Sequence, residues 1–100
     1  MKSIIYIAGP MTGLPDLNRK AFHAAERRLR TRYIVLSPAH IGMFPEGSWS
    51  DYMREALKLL IMSGVVYMLR GWRRSKGAVI EHNLAVALGM KIFYEKEPGI

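Results

Sequence analysis

Four short apolar segments recur along this 100-residue chain, and each is separated from the next by a longer amphipathic stretch. They lie at residues 4–8, 33–36, 65–69 and 91–94, and they are largely apolar rather than alternating. Such strands are typically covered on both faces, as in parallel sheets whose crossover connections are helices. The spacing therefore predicts the element order βαβαβαβ.

The intervening stretches predict three helices, each with one apolar side. We expect the first to be capped by Asp16 or Asn18 and to run to about Arg32. The second follows a predicted loop after residue 38, and that loop contains Gly42, Pro45, Glu46, Gly47 and Trp49. Its expected cap is Ser50 or Asp51.

The third predicted helix is capped by Ser75 and ends at Leu88, just before Gly89, a residue favoured after a helix C-terminus. Helices between successive strands predict an α/β protein with right-handed crossovers. We expect a small flavodoxin-like three-layer sandwich with a four-stranded parallel sheet in the order 2-1-3-4. Without internal repeats or low-complexity segments, residues 1–100 are expected to form a single domain.

Composition restricts the classes of site. The chain has no cysteine, so disulfides and thiolate metal sites are ruled out. Its three histidines, His23, His40 and His82, are far apart and lack metal-ligand spacing, so we expect neither a metal nor a cofactor. No apolar run approaches the roughly 20 residues of a membrane span, and no cleavable leader is recognisable. A cytoplasmic protein is expected.

The chain is strongly basic, with a formal charge of +7. This charge favours phosphorylated or polyanionic ligands, although a solvated basic helix face accounts for it equally well. Nucleic-acid binding rests on the charge alone, without a recognised reading motif, and is not expected.

The loop after the first strand is rich in glycine and proline. Loops at the carboxyl ends of parallel strands bind ligands in α/β proteins, most often where the strand order reverses. The loop is not a P-loop, since it lacks the Lys-Ser/Thr ending. The candidate ligand contacts here are Gly9, Pro10, Met11 and Thr12. Tyr6, on the preceding strand, is either a core residue or the source of a hydroxyl group.

The loop after the third strand reaches the same edge of the sheet. Free N–H groups at the start of the third helix favour an anion beside Ser75, Gly77 and Ala78, although Ser75 serves equally as an ordinary N-cap. Gly71 and Trp72 precede them in the loop. The Trp72 ring is suited either to stacking on a base or sugar or to covering the core.

Glu81 is the candidate catalytic residue. It shares one helical stripe with small and apolar residues, namely Gly77, Leu84, Ala85 and Leu88. A carboxylate on such a stripe is partly desolvated, a common condition for a nucleophile or a base. The alternative is a glutamate that merely complements the dipole of the helix.

Three motifs in this sequence resemble a known family. They are Tyr-Ile-Ala-Gly-Pro-Met at residues 6–11, Trp-Ser-Asp-Tyr-Met-Arg at 49–54, and Gly-Trp-Arg-Arg-Ser-Lys-Gly-Ala at 71–78 followed by Glu81 and Leu84-Ala85. The chain is similar to a phage and bacterial domain family of unassigned function, itself related to nucleoside 2-deoxyribosyltransferases. The resemblance implies a glutamate, here Glu81, that attacks C1′ of the sugar and displaces the base. It also implies that the glycine-rich loop holds the sugar or a 5′-phosphate.

Two departures keep a second function open. Ala56 and Gly64 occupy positions at which the transferases carry helper aspartates. The chain is therefore either an enzyme acting on the N-glycosidic bond of a nucleoside or nucleotide, or a module that binds nucleotides without turnover. The resemblance also implies a homo-oligomer, for which Tyr52, Met53 and Met62 on the second helix are candidate contacts.

Overall fold

A computed structural model describes residues 1–40 and 48–96 of the chain. Its strands are β1 (Ser3–Ala8), β2 (Tyr33–Leu36), β3 (Val65–Met68) and β4 (Lys91–Tyr94), and its helices are α1 (Arg19–Leu29), α2 (Trp49–Ile61) and α3 (Lys76–Ala87). Short 3₁₀ helices lie at Pro15–Asn18, Pro38–His40 and Trp72–Arg74. The predicted loop residues Gly42, Pro45, Glu46 and Gly47 lie outside the described residues.

The four strands form one parallel sheet in the order β2-β1-β3-β4, which confirms the predicted topology. Residues of β1 alternate between the two faces of the sheet. Ile7 packs with Phe22 and Ala25 of α1. Tyr6, on the opposite face, belongs to a cluster with residues of α2 and α3, including Leu60. The result is the expected three-layer sandwich, with α1 on one face and α2 and α3 on the other.

The start of α1 agrees in position with one of the two predicted caps, since Asn18 is the N-cap residue, but its local geometry was not expected. Asp16, Leu17 and Asn18 have φ values of 48°, 54° and 60°, in the left-handed region, so the helix begins only at Arg19. The Asn18 side chain does not cap it; its Nδ2 donates to the carbonyl oxygen of Pro10 at 2.9 Å. The helix ends at Leu29 rather than near Arg32, because a turn precedes β2.

The start of α2, in contrast, was predicted at least two residues too late. Ser48 is the N-cap, and its Oγ accepts from the backbone N–H of Asp51 at 3.2 Å. The Asp51 carboxylate in turn accepts from the N–H of Ser48 at 3.0 Å, which completes a capping box. Trp49 is consequently the first residue of the helix and not part of a loop.

The third helix agrees with the prediction at both ends to within one residue. Ser75 is the N-cap, and its Oγ accepts from the N–H of Ala78. Gly89, with φ +68°, lies beyond the C-terminus in the left-handed conformation that glycine favours. Among the described residues, none of the helices is both long and apolar enough to cross a membrane.

Candidate active site

A cleft of about 890 Å³ opens at the carboxyl edge of the sheet. The loops after β1 and β3, the start of α3 and one side of α1 form its walls. The strand order reverses between β1 and β3, so the cleft lies at the topological switch point where this type of sheet binds ligands. Five predicted contact residues line it: Pro10, Thr12, Gly71, Ser75 and Gly77.

The loop after β1 is held close to the sheet. A Cβ atom at Gly9 would lie 2.7 Å from Cβ of Leu69, a distance at which the backbone must shift. Gly9 thus allows the loop to pass directly over the residue that follows β3, while Asn18 anchors its next residue, Pro10. Gly9 itself does not line the cleft; its neighbours Pro10 and Thr12 do.

The start of α3 forms the opposite wall. The first N–H groups of a helix have no intrahelical partner and carry partial positive charge. Ser75 satisfies the N–H of Ala78, which is 1% exposed and does not line the cleft. Gly77 lines it, and a Cβ there would lie 3.0 Å from Sδ of Met53, so a larger side chain would press on α2.

Cationic side chains outnumber carboxylates along the cleft wall. Arg28, Arg70, Arg74 and Lys76 all line it. The Lys76 ammonium lies 4.5 Å from the centre of the Trp49 ring, a cation–π contact that holds both side chains at the cleft. The wall is therefore suited to an anionic group.

Glu95 is a carboxylate in the cleft that the sequence analysis did not select. Its Oε1 accepts from the N–H of Arg70 at 3.0 Å, and its Oε2 lies 3.1 Å from the guanidinium of Arg28. It thus joins the loop after β3 to α1. The available signal was its position directly after β4, at the ligand-binding edge of the sheet.

Glu81 lies behind the cleft wall, one helical turn beyond Gly77 on the same side of α3. Its side chain is buried, with 4% exposure, although the sequence suggested only partial burial. The Tyr6 hydroxyl, fully buried on β1, donates a hydrogen bond to Oε2 of Glu81. The two residues are 75 positions apart, so the parallel sheet and α3 together create this pair.

Burial controls the protonation of this pair. Loss of solvation raises the pKa of Glu81 to about 8, and the hydrogen bond from Tyr6 opposes that rise. Burial also raises the pKa of Tyr6 well above its ordinary value, and the Glu81 charge adds to the effect. At neutral pH the carboxyl group of Glu81 is therefore largely protonated, and Tyr6 remains a hydroxyl donor.

Tyr52 of α2 is the next group of this cluster. Burial raises its pKa, and the charge of Glu81 contributes to the rise. Its hydroxyl lies 2.7 Å from Sδ of Met11 in the loop after β1. Glu81, Tyr6, Tyr52 and Met11 thus connect α3, β1, α2 and that loop, although Met11 does not line the cleft.

Trp72 is placed in the core rather than in the cleft. It is 7% exposed, and its ring stacks on the imidazole of His82 at 4.2 Å between centroids. The Arg73 guanidinium lies 4.7 Å from the centre of the same ring. These contacts occupy the ring faces that were considered for a base or a sugar.

Comparison with solved structures identifies the same fold in two transferases. The 2-desoxiribosyltransferase from Leishmania mexicana superposes with a TM-score of 0.71 at 18% identity, over 92% of this chain and 63% of that protein. The 2-deoxyribosyltransferase from Bacillus psychrosaccharolyticus gives 0.70 and 18%, over 92% and 71%. The chain thus spans less than two thirds of the Leishmania protein, and at this identity the likeness shows the fold alone.

Comparison of sequences points to a family rather than to an individual protein. No curated protein sequence matches the chain. The family described as a domain of unknown function, DUF4406, matches residues 3–94, almost the whole of the described structure. The chain therefore belongs to the DUF4406 family, with the fold of the 2-deoxyribosyltransferases.

Proposed function

We propose that this protein acts on the N-glycosidic bond of a nucleoside or 5′-nucleotide, by transfer or hydrolysis, with Glu81 as the nucleophile. The observation that carries the proposal is the placement of Glu81: it is desolvated, held by the Tyr6 hydroxyl, and one turn behind a cationic cleft. The fold shared with 2-deoxyribosyltransferases supports the substrate class.

The reaction proceeds through two displacements at one carbon. The ionised carboxylate of Glu81 attacks C1′ of the sugar; the C1′–N bond breaks, and its electron pair leaves with the base, which takes up a proton. Water or a second base then attacks C1′ and loses a proton, which balances the proton taken up by the first base; the C1′–O bond breaks, and its electron pair returns to the Glu81 carboxylate. The hydrogen bond from Tyr6 directs one carboxylate oxygen, so the other is available for attack.

Substrate binding has two requirements in this proposal. The cations Arg74 and Lys76, with the start of α3, bind the sugar side or a 5′-phosphate. The 4% exposure of Glu81 further requires neighbouring side chains to move before C1′ can reach it. Met11, a flexible side chain in contact with Tyr52, is the side chain we expect to yield.

The proposal is tested by incubating the purified protein with nucleosides, 5′-nucleotides and NAD and measuring released base by chromatography. We expect the wild type to release base from at least one substrate and Glu81→Gln to release none. Glu55→Gln, which removes an exposed carboxylate from α2, is the matched control and retains activity. Equal release by wild type and Glu81→Gln would refute the role of Glu81.

A second candidate function is nucleotide binding without turnover. Ala56 is fully buried on α2 at a position where the resembled transferases carry a carboxylate, so it provides no group to protonate the leaving base. On this alternative, one ligand raises the melting temperature of the protein and is recovered unchanged after long incubation. Release of free base by the wild type but not by Glu81→Gln would argue against this alternative.

We further propose that the protein works in the cytoplasm as a homo-oligomer. Exposed apolar side chains at the C-terminal ends of α2 and α3 support self-association: Ile61, Met62, Val86 and Leu88. Of the contacts suggested by the sequence, Met62 is 63% exposed, whereas Met53 is 6% exposed and packs inward. Tyr52 is partly buried against Met11.

A further inference from the structure

Two histidines and a glutamate come together on the surface beside α1. His23 and Glu26 lie on α1, and His40 lies in the 3₁₀ helix after β2. One ligand atom from each residue lies within 4.8 Å of those of the other two. His40 Nε2 is 2.8 Å and His23 Nδ1 is 3.8 Å from the same oxygen, Oε2 of Glu26.

We propose that His23, Glu26 and His40 bind a divalent metal ion, most favourably Zn²⁺. Two imidazoles and one carboxylate are ligands that zinc takes in proteins. Three protein ligands leave a fourth position for water. The metal would replace the hydrogen bond between His40 and Glu26 with bonds to both.

The packing of the core sets the positions of these three residues. Phe22, Ala25 and Ala39 are buried together in one apolar cluster, and each is the immediate chain neighbour of one candidate ligand. The 3₁₀ helix is also held by its own bonds, since Ser37 Oγ accepts from the N–H of Ala39 at 3.2 Å. The main chain at all three ligands is thus fixed, and only exposed side-chain ends need to adjust.

The ligands are accessible to an ion from solvent. The side chains of His23, Glu26 and His40 are 42%, 26% and 58% exposed. Removing one therefore leaves the apolar cluster beneath intact. The site is also separate from the cleft: at about 100° per residue, His23 and Glu26 lie on the side of α1 away from the cleft-lining residues Ala24 and Arg28.

Sequence spacing alone could not reveal this site. Its ligands are His23, Glu26 and, 14 positions later, His40, a separation without a recognised metal-binding pattern. The sequence analysis accordingly expected no metal. The fold brings the ligands together, because the 3₁₀ helix that follows β2 packs against α1. A bound ion would tie α1 to the segment that leaves β2.

Titration of the EDTA-dialysed protein with Zn²⁺ tests the proposal by calorimetry. We expect one ion per chain in the wild type. Loss of even an outer-shell partner weakens metal binding about 10- to 100-fold, so His23→Ala, Glu26→Gln and His40→Ala should each weaken it by at least about tenfold. Co²⁺ should show strengthened visible absorption in the wild type and not in His40→Ala.

Two control variants complete the test. His82→Gln removes a histidine that stacks on Trp72, outside the group, and should retain wild-type zinc affinity. Glu81→Gln should also retain it, since the metal proposal is independent of the proposed function. At the same zinc concentration, zinc should raise the melting temperature of the wild type and both controls more than that of His40→Ala. Absent zinc binding in the wild type, or undiminished binding in His23→Ala and His40→Ala, would overturn the proposal.

Discussion

At the residue scale, ionisation of the buried Glu81 destabilises the folded protein, because its charged carboxylate is desolvated. Its pKa of about 8 in the folded state lies above the ordinary value of 4.5, so the folded state binds more protons than the unfolded state between these pH values. Stability is therefore unaffected by Glu81 below pH 4.5 and falls as the pH rises towards 8.

Glu81→Gln removes this penalty while keeping an oxygen that accepts from Tyr6. We expect the variant to be more stable than the wild type at pH 8, by on the order of 4 kcal/mol. The difference should nearly vanish at pH 4, where the wild-type carboxyl group is neutral in both states. Urea unfolding at both pH values measures this difference.

The exposed glutamate Glu55 supplies the control for that experiment. Glu55→Gln should not reproduce the gain in stability, because Glu55 lies on the surface of α2 in an ion pair with Lys58 at 2.9 Å. A Glu81→Gln variant that is equally stabilised at pH 4 and pH 8 would contradict the assignment of the effect to ionisation.

Tyr6 provides a second test at this scale. Its hydrogen bond lowers the pKa of Glu81, so Tyr6→Phe should raise that pKa further. If ionised Glu81 is the nucleophile, the pH at which activity is half-maximal should move upward by about one unit. The loss in rate should accordingly be larger at pH 7 than at pH 9.

A pH–rate profile of Tyr6→Phe beside Tyr33→Phe provides this measurement. Tyr33 lies on β2, at the edge of the sheet, and its hydroxyl is not part of the Glu81 cluster. Its removal should leave the midpoint unchanged. A Tyr6→Phe profile that falls equally at every pH would show that Tyr6 positions Glu81 without tuning its protonation.

At the element scale, apolar periodicity predicted the four strands and three α-helices of the described residues but not their short 3₁₀ helices, and the helix starts depended on local chemistry. The Ser48–Asp51 capping box is visible in the sequence as Ser-x-x-Asp, although the prediction placed the cap at Ser50 or Asp51. The left-handed turn at residues 16–18 was not readable, because Leu17 has no intrinsic preference for φ +54°.

The capping box leads to a prediction with a matched control. Ser48→Ala removes the acceptor for the N–H of Asp51 and should lower the free energy of unfolding by about 1 kcal/mol. Ser50→Ala, two residues later in the first turn of α2, should be neutral or slightly stabilising, since alanine is the better helix former. Thermal unfolding of both variants measures these effects. A larger loss of stability in Ser50→Ala than in Ser48→Ala would contradict the assignment of Ser48 as the cap.

The candidate site was predictable only in part, because a sequence shows patterns between neighbouring residues but not contacts between distant ones. Glu81 stood out because a lone carboxylate interrupts an apolar stripe on one helix, a pattern confined to neighbouring turns. Arg28 and Glu95 were missed because their 3.1 Å ion pair joins residues 67 positions apart. Trp72 is a candidate for ligand stacking in the sequence, but its partner, His82, lies nearly two helical turns into α3 and could not be identified from spacing.

At the scale of the whole molecule, part of the net charge of +7 lies at the cleft. Arg28 and Arg70 share the carboxylate of Glu95, so their charges are partly compensated. Arg74 and Lys76 lie beside the start of α3, where the helix dipole also favours an anion. The cleft is therefore the part of the described surface where charge, shape and helix geometry favour the same ligand.

This convergence predicts a difference between nucleotides and nucleosides. Arg74→Gln should weaken binding of a 5′-nucleotide by about tenfold, the effect of one lost charge-assisted hydrogen bond, and should change nucleoside binding much less. Arg32→Gln removes the same charge from the exposed turn after α1 and should affect neither ligand, because screening weakens interactions beyond about 10 Å. Calorimetric titration of both variants with both ligands distinguishes a local contact in the cleft from a general effect of the protein's positive charge. Equal weakening by Arg74→Gln and Arg32→Gln would mean that the net charge, and not the cleft, attracts the phosphate.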